Sequence, residues 1–226
     1  MSQSSNWRVN DFRHELKVPF EHMQFIEFQS WLQQSGLHPK KQFPDRKVHS
    51  VYLDTAMLDD YQDNVSGMSQ RGKLRLRWYN DATEKVVLEL KNKRGRLANK
   101  LVIELQNPCG DIPFERRISD RLLRSTEKSR EIAKQHNLFP SLHVQYERAY
   151  FEIAPGIRMT LDKRIRYQKL YPLKTQSTTA SAVEVVVEFK YPISEAAKAA
   201  RLLTGMPGRI FRHSKYVIGV DTVCDL

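Results

Sequence analysis

The sequence predicts an α+β fold, an antiparallel β-barrel tunnel of about eight strands with helices packed on the outside. Three observations lead there. Segments with a two-residue period follow one another through short turns rather than regular crossovers, which is how an antiparallel sheet is wired. Those segments place large apolar side chains on one face and Arg, Lys and a few Glu on the other. Amphipathic helical stretches at 21–34, 115–136 and 194–203 can cover the apolar faces, which turns the charged ones inward.

Residues 21–34 space Phe25, Phe28 and Leu32 as a helix ended by Gly36. Residues 48–53 are β-branched and alternating, hence a strand. A short helix follows from Thr55, where Leu58 and Tyr61 share a face. Residues 73–79 and 86–93 alternate on either side of the turn Asn80-Asp81, and 100–106 add a further strand before the breaker at 107–113. Residues 115–136 read as one long charged helix with Ile118, Leu122 and Leu123 on one face. Strands resume at 144–153 and 157–167 around Pro155-Gly156. A polar loop at 174–182, a strand at 182–191, a helix at 194–203 capped by Ser194 and ended by Gly205, and a mixed tail at 211–220 complete the chain. Residues 1–10 are expected to be flexible and 11–226 to form a single domain.

The 37 Lys+Arg exceed the 26 Asp+Glu by 11, which predicts an anionic partner: nucleic acid, an anionic membrane surface or a phosphorylated small molecule. Cys109 and Cys224 lie far apart and form no CxxC pair, against a disulfide framework or structural zinc. No apolar run approaches the about 20 residues of a membrane span. The first residues lack a signal-type apolar stretch. A cytoplasmic protein is expected.

Sorting the strands by face locates the positive charge. Lys73, Arg75 and Arg77 oppose Leu74, Leu76 and Trp78; Glu89, Lys91 and Lys93 oppose Val86, Leu88 and Leu90. Tyr146, Arg148, Tyr150 and Glu152 share a face that also takes Val144, which breaks the pattern. Arg158, Thr160 and Asp162 fall together, as do Glu184, Val186, Glu188 and Lys190. Alternate like charges stand about 7 Å apart along a strand and repel by roughly 2 kcal/mol at an effective dielectric near 20. Stacked rows of them need counter-charge, and a lumen so lined suits a polyanion.

Six segments in order, KLRLRWY, LELKNK, YERAYFE, GIRMTLD, VVVEFKYP and RHSKY, together with RHELK at 13–17, are similar to the VTC domain. That family is the polyphosphate-polymerase branch of the triphosphate tunnel metalloenzymes. The resemblance implies a transferase that adds the ATP γ-phosphate to growing polyphosphate, with Mn²⁺ or Mg²⁺. It assigns Arg75, Arg77, Lys91, Arg148, Arg158 and Lys215 to catalysis. Lys17, Arg71, Lys73, Lys93, Lys100, Tyr146 and Ser214 bind phosphate, and Glu188 binds the metal. Implied partners are ATP, inorganic polyphosphate, pyrophosphate and triphosphate, with no specific nucleic acid and no membrane span.

Arg13 replaces the first Glu of the hydrolase-type ExExK, leaving Glu15 and Lys17, which favours the polymerase over a triphosphatase on the same tunnel. A catalytically idle polyphosphate binder is a further alternative. A nucleic-acid binder is disfavoured because the cations lie on strand faces without RRM- or OB-type aromatic interleaving. No HExxH, Walker or GxGxxG motif is present.

Overall fold

The computed structural model describes residues 13–94, 97–134, 137–171, 174–175 and 177–224, without the side chains of 93–99. The segment 1–10, expected to be flexible, lies outside them. In chain order the elements are β1 (Arg13–Phe20), α1 (His22–Gln34), β2 (Lys40–Asp54), α2 (Asp59–Val65), β3 (Gln70–Arg71), β4 (Leu74–Tyr79), β5 (Ala82–Arg94) and β6 (Leu97–Gln106). Then come α3 (Arg116–Leu123), α4 (Glu127–Lys134), β7 (Phe139–Ala154), β8 (Ile157–Lys169), β9 (Thr179–Ala180), β10 (Val185–Pro192), α5 (Ala196–Leu202) and α6 (Lys215–Val223).

The strands join in one sheet in the order β1-β10-β8-β7-β2-β4-β5-β3, with β6 also on β5 and β9 on β8. The registers of β1/β10, β2/β4, β3/β5, β4/β5, β5/β6 and β8/β9 are all antiparallel. The fold is therefore α+β with a large, mainly antiparallel sheet. The strand count is ten rather than about eight, and among the described residues no pairing joins β1 to β3 or β6, so the sheet is open. At the outer edge of β1, the Lys17 carbonyl accepts instead from the backbone N–H of Phe211, in the loop before α6.

Four local expectations change. The stretch 115–136 is two helices, because Thr126 and Ser129 cap each other reciprocally (Ser129 N–H to Thr126 Oγ1, 3.1 Å; Thr126 N–H to Ser129 Oγ, 3.3 Å) and restart the chain as α4. Ser194 is not a helix cap; it lies in a 3-10 turn, Ile193–Glu195, that starts from Pro192. The mixed tail is the regular helix α6, capped by Ser214 Oγ accepting from Val217 N–H at 3.4 Å. The short helix expected from Thr55 begins at Asp59 as α2.

The chain gathers into two compact units. Among the described residues the first comprises 13–45, 149–162 and 183–213, the second 46–148, 163–182 and 214–224. In the first, Phe25 and Phe28 of α1 and Ala199 of α5 bury against Val18, Phe20, Ile157, Met159, Val185, Val187, Phe189 and Tyr191. Each fully buried side chain of this size contributes about 1.5–3 kcal/mol. In the second, Leu122 and Leu123 of α3 cover Val51, Leu53, Leu74, Leu76, Trp78, Val86, Leu88 and Leu105. The apolar faces assigned by strand periodicity are thus the helix-covered ones, which leaves the charged sets on the other side of each strand.

Helix α6 is the exception, packing on the charged side. A Cβ at Gly219 would meet Leu142 Cδ2 and Tyr167 Cδ1, each at 2.6 Å. Leu142 and Val144 share that face of β7 with Tyr146, so the out-of-pattern Val144 belongs to a strip that accommodates a helix. We expect Gly219→Ala to lower stability by about 1–3 kcal/mol through overpacking, read as a lower midpoint in urea or heat.

On the helix-covered side of the second unit, His49 and His143 hydrogen-bond (Nδ1 to Nε2, 3.1 Å) in a stack with Trp78. Burial, with a nearby Lys47, lowers His49 to about 4; burial, with His49 beside it, lowers His143 to about 3. The unfolded chain takes up these protons near 6.5 and the folded one does not, so stability is full above pH 6.5 and falls as the medium acidifies. Melting scans from pH 7.5 to 5 should show this loss, and His143→Gln should flatten it.

Candidate functional site

In the second unit, the register of β4 on β5 sets Arg75 opposite Glu89 on the face away from the core. Glu89 is buried, 6% exposed, and three cations converge on it. Arg75 approaches Oε2 through Nε at 2.7 Å and Nη2 at 2.5 Å, Lys100 approaches Oε1 at 2.8 Å, and Arg77 Nη1 lies 3.4 Å from Oε2. Arg75 also donates to the Tyr52 hydroxyl (3.1 Å), and Arg77 to Ser50 Oγ and the Tyr146 hydroxyl (3.3 Å each). Burial alone would raise the Glu89 pKa; Arg75, Arg77 and Lys100 outweigh it and hold the carboxyl at about 2.

The N-terminus of α6 joins this group. Lys73 donates to Ser214 Oγ at 2.7 Å. Lys215 Nζ and Arg148 Cζ lie 4.7 and 5.2 Å from the centre of the Tyr146 ring. Tyr216 stacks on Tyr52 with ring centres 4.7 Å apart and donates to the buried Asp54. Asp54 in turn accepts from the N–H groups of Thr55, Asp60 and Tyr61. Six predicted cations, Lys73, Arg75, Arg77, Lys100, Arg148 and Lys215, are thereby tied to one network with Tyr146 and Ser214. Guanidinium forks and ammonium groups in this density suit phosphate oxygens.

In the first unit, β1 and β10 place Glu15 opposite Lys190 and Lys17 opposite Glu188, an alternating square of charge. Lys17 Nζ lies 2.9 Å from Glu15 Oε1 and 3.9 Å from Glu188 Oε1, and also donates to the His213 carbonyl at 3.2 Å. Lys190 Nζ lies 3.2 Å from Glu188 Oε1. Among the described residues no three His, Cys, Asp or Glu gather as a cation site. Two neighbouring carboxylates nevertheless match how Mg²⁺ is usually held, by one or two carboxylates plus substrate phosphate oxygens. The donor set therefore fits a divalent ion shared with a bound anion, and not a cage built by protein alone.

The remaining predicted residues are placed as follows. Arg71 turns back to the Met68 carbonyl (2.5 Å). The Arg158 side chain is exposed on β8 and makes no ion pair or hydrogen bond among the described residues. Lys91 is exposed and pairs through its backbone with Lys73, N–H to carbonyl in both directions. The Lys93 side chain lies outside the described residues. Sequence reading did not single out Glu89, Tyr52, Ser50 or Lys190 as site residues. Parity put Glu89 on one face with Lys91, and Lys190 with Glu188; Ser50 and Tyr52 carried no such signal, and only pairing sets them opposite Arg77 and Arg75.

A family profile, the VTC domain, matches residues 12–224, nearly the whole chain of 226. The protein belongs to the VTC family. Among solved structures, HpAC1 from Hippeastrum, a candidate adenylyl cyclase described as having a dominant triphosphatase activity, is 16% identical. The alignment covers 92% of this chain and 94% of that one with a TM-score of 0.56. A candidate adenylate cyclase from Vibrio parahaemolyticus is 14% identical over 92% and 97%, TM-score 0.50. PH1819 from Pyrococcus horikoshii OT3 is 14% identical over 91% and 96%, TM-score 0.49. At such identities the first two comparisons establish likeness of fold. No curated protein matches the sequence significantly.

Removing one member of a buried charge cluster costs about 3–5 kcal/mol. Glu89→Gln should accordingly destabilise the ligand-free protein, while tripolyphosphate recovers more melting temperature than it adds to the wild type. Equal recoveries in differential scanning fluorimetry would contradict the counter-ion role. Because the folded pKa is depressed, the stabilisation from Glu89 is present above pH 4.5 and fades as pH falls toward 2.

Proposed function

We propose that this protein is a metal-dependent polyphosphate polymerase, transferring the ATP γ-phosphoryl group to the end of a polyphosphate chain within a basic tunnel. The observation that carries the reading is the convergence of Lys73, Arg75, Arg77, Lys100, Arg148 and Lys215 on one network built around Glu89, Tyr52 and Tyr146. Phosphoryl transfer asks mainly for in-line placement and neutralised oxygen charge, and these side chains can supply both. Arg75 and Arg77 are the forks for paired phosphate oxygens, and Lys73 and Lys215 are the point charges beside the first turn of α6. A terminal oxygen of the acceptor attacks the γ-phosphorus, the bond to the bridging oxygen breaks, and ADP departs.

Glu188, with Glu15 beside it, is where Mn²⁺ or Mg²⁺ would be held; when bound, the ion would offset charge on the phosphate oxygens. Lys17 and Lys190 already engage both carboxylates, which supports transfer to phosphate over activation of water. The fold likeness to a protein described as a triphosphatase makes hydrolysis on the same residues the second reading. No described helix is long and apolar enough to cross a membrane.

Purified protein incubated with ATP and Mn²⁺ should yield polymer on an electrophoretic gel, with ADP; free phosphate without polymer would support the hydrolase instead. Tripolyphosphate at 100 times its dissociation constant should stabilise the fold by about 2.7 kcal/mol. Arg75→Ala and Arg148→Ala should abolish most of that shift, and an intact shift would remove these residues from the site.

A further inference from the structure

The proposed function leaves unexplained a second buried carboxylate of the second unit. Asp54, the last residue of β2, is 1% exposed, so it must be met by donors. Three of them come from its own turn: the N–H groups of Thr55 (2.7 Å), Asp60 (3.0 Å) and Tyr61 (3.1 Å). The chain is bent to deliver them. Leu58, which precedes α2, takes φ 58° and ψ 46°, a left-handed conformation that a bulky side chain avoids. Such a conformation persists where the surrounding contacts over-determine it, and it gathers at functional sites.

A further donor, the Tyr216 hydroxyl, arrives from α6, 162 residues along the chain. The three N–H groups already tie Asp54 to the start of α2, so the distant bond acts on its partner, the second residue of α6. What α6 carries at that end belongs to the phosphate network. Ser214 accepts from Lys73 at 2.7 Å, and Lys215 Nζ lies 4.7 Å from the centre of the Tyr146 ring. The Tyr146 hydroxyl in turn accepts from Arg77. Tyr61, whose N–H faces Asp54, adds a second tie to α6 by donating its hydroxyl to Asp221 at 2.5 Å. A lysine has a flexible four-carbon stem, so its charge is placed no better than the backbone that bears it.

We infer that Asp54 is a positioning residue for phosphate binding: by holding the Tyr216 hydroxyl it seats the first turn of α6 and aims Lys215 into the cation network. This deepens the reading that Lys215 and its neighbours bind phosphate, and rests on it.

Tyr216→Phe isolates the bond. It keeps the ring that stacks on Tyr52, whose hydroxyl accepts from Arg75. It also leaves Asp54 its three N–H groups and Ser141 its bond to the Tyr52 carbonyl. The variant should therefore fold, with circular dichroism and melting temperature as the check. Tripolyphosphate affinity is measured by isothermal titration, well below the melting transition, for wild type, Tyr216→Phe, Lys215→Ala and the double variant. We expect Tyr216→Phe to weaken tripolyphosphate about fivefold, part of what one charged hydrogen bond contributes. In the Lys215→Ala background the same change should weaken it less than about twofold, because the group it aims is gone. Asp54→Asn tests the other end of the bond and should give the same two results; should it fail to fold, Tyr216→Phe decides. A lower melting temperature with unchanged affinity makes the bond structural only and overturns the inference. Equal losses in both backgrounds, or no effect of Lys215→Ala alone, overturn it as well. In each of these cases the phosphate site stands. Failure of the wild type to bind tripolyphosphate overturns the phosphate site and the inference with it.

Discussion

The charged side of the second unit depends on one buried carboxylate. Arg75 and Arg77 are alternate residues of β4 and lie on one face by the geometry of the strand, with Lys100 reaching in from β6. Left alone, three cations this close would repel one another and pull away toward water. Glu89, fixed across from Arg75 by the β4/β5 register, gives them a common counter-charge below the solvent surface. The cluster therefore holds its geometry without a ligand. Such preorganisation lowers the cost of binding, because side-chain ordering has already occurred on folding.

The cost of burying charge is met by the opposite side of the same strands. Leu74, Leu76 and Trp78 alternate with the arginines and pack beneath α3. Each strand thus carries its own anchor, and the pleat turns one sequence period into a stable face and a charged one. The first unit repeats the scheme with different partners. Val185, Val187 and Phe189 are held under α1 and α5, while Glu188 faces Lys17 across the sheet.

Helix α6 links fold and chemistry. Its Tyr216 ties Tyr52 to Asp54, and Ser214 and Lys215 at its start face Lys73 and Tyr146. Gly219 permits this seat, because any side chain there collides with Leu142 and Tyr167. The helix brings its positive dipole end toward the same cations, the end of a helix at which an anion is favoured.

Strand periodicity by itself determined the α+β class, most strands, and which side chains share a face, because side-chain direction alternates whatever the strand pairs with. It also set Lys73, Arg75 and Arg77 on one face, while the order of the motifs pointed to the family and, through it, to Lys17, Lys100 and Lys215. Tertiary structure alone decided the rest, since pairing partners are set by contacts distant in sequence. Glu89 as the hub, the split of residues 115–136 at Thr126, the helical form of the tail and the open course of the sheet arose in this way. So did the bend in β8, where Arg164 takes a φ of 52°. Buried Asp162 and exposed Lys163 precede it, and a simple alternation cannot announce such a break. Periodicity reports the direction of a side chain; only the folded chain reports what waits there to meet it.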